Sequence, residues 1–221
     1  MAIGEKLRSC RLELQSRLGF GSTDNPAIAP ILISFIVEAE KQLYAIGRFK
    51  HLQDFWDVTA PTGSAIVAYP THVTKGDANP DKISEIRCNI GTVSCESWAE
   101  VKEGIRASDY NSAVSAYPCR YERRSSGLEL APIRDINYTV RIWATRKLRS
   151  LSQDGDVINL DWDLVFPVAL ASAKSHYRHP DSQLYLSKSQ SILNGVKWDN
   201  SKKIFSPPGR DCEAEPKPQV V

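Results

Sequence analysis

The chain has 221 residues, of which 42% are hydrophobic and 24% charged, and its formal net charge is +2. That is a globular composition with material for one substantial core or a core plus a satellite, and the small charge does not by itself announce a nucleic-acid binder. No run approaches the roughly 18 uninterrupted apolar residues of a membrane span, so no membrane partner is expected. Charges at Glu5, Lys6, Arg8 and Arg11 occupy the place of a leader's apolar stretch, so cytoplasmic synthesis is expected. Five cysteines, at positions 10, 88, 95, 119 and 212, are odd in number and scattered, which points to reduced packing thiols rather than a disulfide framework.

Ile3, Leu7, Cys10, Leu14 and Leu18 keep helical spacing and predict a first helix that Gly19 and Gly21 end. Thr23, Asp24 and Asn25 offer caps before Pro26. Ile28, Ile31, Leu32, Phe35, Ile36, Ala39, Leu43 and Ile46 then mark a long second helix up to Gly47, with Pro30 tolerated in its first turns. Its apolar stripe is wide enough for more than one partner, as in a bundle.

From Phe55 the period changes to that of strands. Residues 55–60, a turn at Pro61, Thr62 and Gly63, and residues 64–70 read as a hairpin, with further strands near 83–90 and 92–98. Between them, residues 71–82 carry the Gly, Asn, Pro and Asp of an exposed loop. His72, Lys75, Asp77 and Asn79 are its candidate contact residues. A helical turn or two is expected within 99–109, followed by strands at 119–124, 128–133 and 137–147. Ser125, Ser126 and Gly127 join the first two of these, with glycine where φ > 0 can be required. Leu128 and Leu130, then Tyr138, Val140, Ile142 and Ala144, recur at period two. Trp143 falls on the opposite face, so a second sheet layer or a neighbouring subunit is needed to cover it.

After Ser152 an acidic linker leads to a third helix carrying Leu164, Val165, Val168, Ala169, Ala171 and Ser172, which Pro167 should bend or begin. A fourth helix is expected from Pro180 and Asp181 to about Asn194 and Gly195. Pro207, Pro208, Pro216 and Pro218 then forbid helix and leave an extended tail. The reading is α+β: an α-helical bundle of about four helices with an inserted antiparallel β domain and an extended C-terminal tail. The expected divisions are 1–50 for the N-terminal bundle helices, 51–150 for the β-rich insertion, 151–197 for the C-terminal bundle helices and 198–221 for the tail.

No phosphate-binding glycine loop, dinucleotide fingerprint, zinc-protease or nucleophile-elbow motif occurs, and the acids are too dispersed to nominate an acid–base pair, so neither catalysis nor a cofactor is expected. His176 and His179 have a spacing compatible with metal but no third ligand nearby, and a helix-end role is the simpler reading. Cys88 and Cys95 lack the two-residue gap of a zinc knuckle. From 119 to 149 eight cations face three acids, an excess of five. Arg120, Arg123, Arg124, Arg141, Arg146 and Lys147 are candidates for contact with DNA phosphates or with acidic residues of a neighbouring subunit. Five tryptophans and eight tyrosines also allow a sugar- or peptide-binding surface.

Two N-terminal helices, a β-rich insertion, two C-terminal helices and a tail resemble the head-to-tail adaptor (neck or connector) proteins of tailed bacteriophages. The resemblance covers roughly residues 5–197 and is most specific in the sheet. There Pro118 to Tyr121, Gly127 to Pro132 and Asp135 to Trp143 look like the family's run of Pro with Tyr, glycine with alternating leucines and a proline, and Tyr with alternating apolar residues. Leu151, Ser152 and the Asp-rich linker also fit; Tyr69 and Pro70 depart, being followed by Thr71 and His72 rather than an acidic and an aromatic residue. The resemblance implies a virion protein made in the host cytoplasm. It would form a ring of usually twelve copies at the head–tail junction, bind the portal protein, present a face to the next tail or nozzle protein and surround non-specific double-stranded DNA. It also implies a C-terminal segment that reaches the portal, with Ile204, Phe205, Pro207, Pro208 and Arg210 as docking residues. The alternative is a soluble module that recognises a sugar or peptide through its aromatic-rich β domain.

Overall fold

The computed structural model describes residues 4–73, 76–90, 97–110, 117–133 and 136–201, with side chains to residue 197. The described residues are mixed α+β, with five α-helices and two sheets dominated by antiparallel pairs. Contacts divide the chain into two compact units, Met1–Cys10 with Arg48–Trp162 and Arg11–Gly47 with Asp163–Val221.

The first unit is built on period-two burial. Strands β1 (Gln53–Ala60), β8 (Tyr138–Arg146), β3 (Ala78–Asn89) and β4 (Trp98–Glu100) form one sheet in that spatial order. β2 (Ile66–Ala68), β7 (Gly127–Ala131), β6 (Arg120–Arg124) and β5 (Lys102–Glu103) form the other. One core joins them: Trp56, Ile86, Val140 and Ile142 from the first sheet and Val67, Tyr121, Leu128 and Leu130 from the second. The inner residues of β8 are the ones whose period the sequence displays, and Tyr138, Val140 and Ile142 are all buried.

The expected hairpin at 55–70 does not form. All eight residues of β1 pair with β8, while the three residues of β2 pair with β7 in the other sheet. A nine-residue strand offers β1 a complete backbone ladder and a three-residue strand does not. The intervening link crosses between sheets and is pinned where the backbone N–H and Oγ1 of Thr62 both donate to Asn137 Oδ1, at 2.8 and 2.9 Å. The exposed loop expected at 71–82 is also shorter, because Ala78 is buried and already begins β3. Trp98–Glu100 and Lys102–Glu103 are strand, and the helical turn expected within 99–109 is limited to Ala107–Tyr110, here α3.

Ser125 and Ser126 make the expected turn, with Arg124 opposite Gly127. The glycine is required for a different reason from the one expected. A Cβ at Gly127 would lie 2.3 Å from the carbonyl oxygen of Val67, so β2 can approach β7 only over a hydrogen atom.

In the second unit, the helix α1 (Leu7–Arg17), whose first turn belongs to the other unit, buries Leu14 and the following Leu18. It also buries two polar side chains that organise the connection to α2 (Ala29–Ile46). Arg11 donates to both Asp24 oxygens, at 2.6 and 3.2 Å, and Gln15 Nε2 donates to the carbonyls of Gly21 and Thr23. Asp24 is therefore committed to Arg11, and α2 starts later than expected, at Ala29, without a side-chain cap. Helix α4 (Trp162–His176) holds Pro167 in its second turn, where the missing N–H forfeits one bond, and buries Val165, Val168, Leu170 and Ala173. Helix α5 (Ser182–Ser201) runs past Gly195, whose cost of about 1 kcal/mol in a helix interior is too small to end it. No helix among the described residues is long and apolar enough to cross a membrane.

Candidate functional site

The outer face of the first sheet is the concentration of unusual side chains in the β unit. Antiparallel register sets Phe55 of β1 opposite Trp143 of β8, and Asp57 opposite Arg141. It also sets Arg87 of β3 opposite Arg141, and Asn89 opposite Trp98 of β4. All of these share the parity that points away from the core.

Arg141 is the centre of the group. Its guanidinium donates to both oxygens of Asp57 at 2.6 and 2.8 Å. Its guanidinium carbon lies 4.2, 4.7 and 5.8 Å from the ring centroids of Trp98, Phe55 and Trp143. Arg87 stands 5.2 Å from the Trp143 ring and pairs with Glu85 at 2.6 Å. A guanidinium over a ring is worth about 0.5–1 kcal/mol at an exposed site, a modest contribution to the arrangement. Its apolar parts nevertheless stay partly open: Phe55 is 39% exposed, and Trp98 and Trp143 are half-buried.

Beside this face, β1 is an edge strand of its sheet. A groove of about 530 Å³ runs along it, lined by Phe55, Asp57 and Thr59 on one side and Tyr69, Pro70 and His72 on the other. The N–H of Phe55 donates to the Asp54 carboxylate, and in an antiparallel edge strand alternate backbone groups point toward the open edge. An extended peptide is the shape that such an edge accepts.

The six basic residues nominated from the sequence do not form one face. Arg120 and Arg124 lie with outward parity on β6. Arg123 has the inward parity of Tyr121 and reaches past the core to the Pro80 carbonyl at 3.2 Å and the Glu103 carboxylate at 3.1 Å. Arg124 sits between Glu129 at 2.6 Å and Glu122 at 2.8 Å. Tyr110 also donates to Glu129, and that bond, followed by Arg124, holds the Glu129 carboxyl below the usual carboxylate range. Arg141 belongs to the aromatic group, and Arg146 and Lys147 stand together at the end of β8. The acid partners of Arg123 and Arg124 thus come from the sheet and its neighbouring strand, not from the linker after Ser152.

Of the nominated loop residues, His72 is exposed and borders the β1 groove, and Asp77 receives the N–H of Lys147 on its carbonyl. Asn79 belongs to β3, where its side chain accepts the N–H of Asp81. Lys75 lies outside the described residues, as do Ile204, Phe205, Pro207, Pro208 and Arg210 of the nominated tail. His176 packs edge-on against Phe35, while His179 Nδ1 meets Asp181, which also binds Lys174 at 2.6 Å, so the two histidines have separate roles at the α4–α5 junction. Among the described residues no group of three or more His, Cys, Asp or Glu side chains is arranged to hold a metal ion.

Trp143 is the member of the aromatic group that the sequence singles out. Its partnership with Phe55 and Trp98 follows from β1–β8 and β3–β4 register, which joins residues far apart in the chain and leaves only period-two alternation as a local signal. Neither the models of known protein families nor the curated proteins yielded a match to this chain.

Proposed function

We propose that the chain is a structural virion protein, a head-to-tail adaptor of a tailed bacteriophage, which forms an oligomeric ring at the head–tail junction. The observation that carries this reading is the outer face of the first sheet. Three rings are gathered around Arg141 and left half-open beside the edge of β1, the composition of an interface core rather than of a solvated sheet face. The order of elements supports it: helices, then two sheets, then helices. In this reading the helices form the bundle that builds the ring, and the adjacent copy covers the aromatic face. The segment after Ser201 is the tail that reaches the portal, with Ile204 and Phe205 as anchors. The ring, about twelve copies by resemblance, extends the DNA conduit without reading sequence and offers its far face, including the His72 loop, to the next tail or nozzle protein. Its work is assembly, with no catalytic step and no cofactor, and it is made in the host cytoplasm before joining the virion.

A peptide-binding module is the second reading, favoured by the groove along β1. Sugar recognition is less supported, because the Arg141 guanidinium already lies over the ring faces on which a sugar would stack.

Native mass spectrometry of the full chain, and of a chain ending at Ser201, each with and without a portal ring, tests the proposal. Binding of about twelve copies that depends on residues 202–221 is the expected result. A chain that stays monomeric and ignores the portal overturns it and leaves the peptide reading to be pursued.

A further inference from the structure

The helical unit carries a feature of its own at the corner between α4 and α5. Helix α4 closes in a Schellman turn: the N–H of His179 donates to the Lys174 carbonyl at 2.9 Å and that of Arg178 to the Ser175 carbonyl at 3.1 Å. The turn places Arg178 at φ 51°, the left-handed region that glycine ordinarily fills, so the corner is strained at its pivot. Pro180 follows and keeps α4 from running on into α5.

Asp181 stands directly before α5, where a carboxylate ordinarily caps a helix. Its two oxygens go elsewhere. One accepts from the Lys174 ammonium at 2.6 Å, and the other meets His179 Nδ1. Lys174 is buried, only 5% exposed, and the ring of Tyr185 covers it, with Nζ 4.0 Å from the ring centroid. Among the described residues Asp181 is the one carboxylate bonded to that ammonium. The first turn of α5 and the residue before it thus bring both the counter-ion of Lys174 and the ring that shuts it away from water.

With Asp181 ionised, the covered ammonium is paired. With Asp181 neutral, the same cover encloses a cation without its counter-charge, one of the costliest arrangements in a protein interior. Moving α5 off Lys174 returns the ammonium to water, and little opposes that movement. Of the described side chains of α5, residues 182–197, Ser189 is the buried one, and Leu184 is 55% exposed. Helix α4 is anchored separately by the buried Val165, Val168 and Leu170.

We propose that this corner is an acid-sensitive latch: ionised Asp181 holds α5 closed over Lys174, and neutralising Asp181 swings α5 open while α4 stays in place. Among the described residues Lys174 and His179 are the charged groups that act on the Asp181 carboxyl, and none comes from α2, against which α5 packs. Lys188 of α5 lies 5.5 Å from the Tyr185 ring and adds a second cation beside it. The bond from Lys174, and after it that from His179, holds the Asp181 carboxyl below the usual carboxylate range. A depressed folded value sets the latch at neutral pH and releases it below the unfolded value of about 3.9, as pH falls through the folded one. The latch needs one chain only and stands whether or not a ring forms.

Amide exchange of the full chain at pH 7 tests it without a change of pH. Asp181→Asn should speed exchange in α5 by about tenfold or more and leave α4 within about twofold of wild type. Lys174→Met removes the buried charge, so the double variant Lys174→Met, Asp181→Asn should return α5 to within about twofold of wild type, a rescue that a merely structural role of Asp181 would not give. In the wild type, the α5 amide resonances should move toward those of Asp181→Asn between about pH 5 and pH 3. Unchanged protection of α5 in Asp181→Asn, no rescue by Lys174→Met, or equal loss of protection in α4 and α5 overturns the proposal.

Discussion

The two sheets treat arginine differently on their outer surfaces. On the second sheet Arg124 lies between Glu122 and Glu129, and Tyr110 closes the group by donating to Glu129. On the first, Arg141 pairs with Asp57 and lies over three aromatic rings. A carboxylate–arginine group is complete in water. Half-open rings are not, because each Å² of apolar surface left exposed forgoes about 25 cal/mol. In the proposed ring, the second sheet's outer face is the one left to solvent and the first sheet's the one that the adjacent copy covers.

The sharpest way to break that comparison is to set the two faces of β8 against each other. Ile142→Ala, at a fully buried position, should cost about 3 kcal/mol by creating a cavity. Trp143→Ala, on the adjacent outer position, should cost the monomer no more than about 1 kcal/mol in urea melts but weaken oligomerisation by about 2 kcal/mol per interface. Equal destabilisation by the two changes would make the outer face part of the core and remove the contrast. Next in size is Gly127→Ala, which forces β2 away from β7 and should cost about 2 kcal/mol. Amide exchange should rise in β2 and spare the β1–β8 ladder, since the two lie in different sheets.

The same contrast explains what could be read from the chain alone. The inner residues of β6, β7 and β8 announce themselves because alternation is local, and the helices because an apolar stripe needs only its own spacing. Partner choice is not local. Residues 55–70 look like a hairpin, since the turn at Pro61 and Gly63 is visible and the longer ladder with β8 is not. Gly127 is recognisable as a special residue, but the carbonyl that requires it belongs to Val67, sixty residues earlier. Arg11 and Gln15 are polar residues of a helix, and both are buried where they bond to the loop that follows it. The candidate site shows this most clearly. Trp143 stands out by its parity, whereas its association with Phe55, Trp98 and Arg141 exists only once three pairings are set. Charge counting likewise found the basic residues but not their separation between two sheets.

A smaller effect probes the charge at the centre of the first sheet's outer face. A double-mutant cycle of Asp57→Ala and Arg141→Ala should return a coupling of about 1 kcal/mol or less, the ordinary range for a surface ion pair. The loss from Arg141→Ala alone should exceed that from Asp57→Ala, because the rings lose their cation only in the first case. Identical single losses would mean that the carboxylate, not the aromatic set, positions Arg141, and the two sheets would then differ less than their geometry suggests.

The smallest expected effect tests whether the second sheet is closed by charge. Tyr110 first and Arg124 second hold the Glu129 carboxyl below its unfolded value of about 4.3. A depressed folded value contributes stability that is present above the unfolded value and is lost as pH falls through the folded one. Glu129→Gln removes that dependence at both ends, so the gap between wild type and variant in urea midpoint should be open at pH 7 and shrink below about pH 4. Tyr110→Phe deletes the larger cause and should move the Glu129 carboxyl resonance, followed by carbon NMR, to titrate at higher pH in an otherwise intact sheet. If the gap instead stays constant from pH 7 to pH 3, ionisation of Glu129 contributes nothing to the group. The second sheet's outer face would then be as open electrostatically as the first sheet's is apolar, and the reason for expecting a partner on only one of them would disappear.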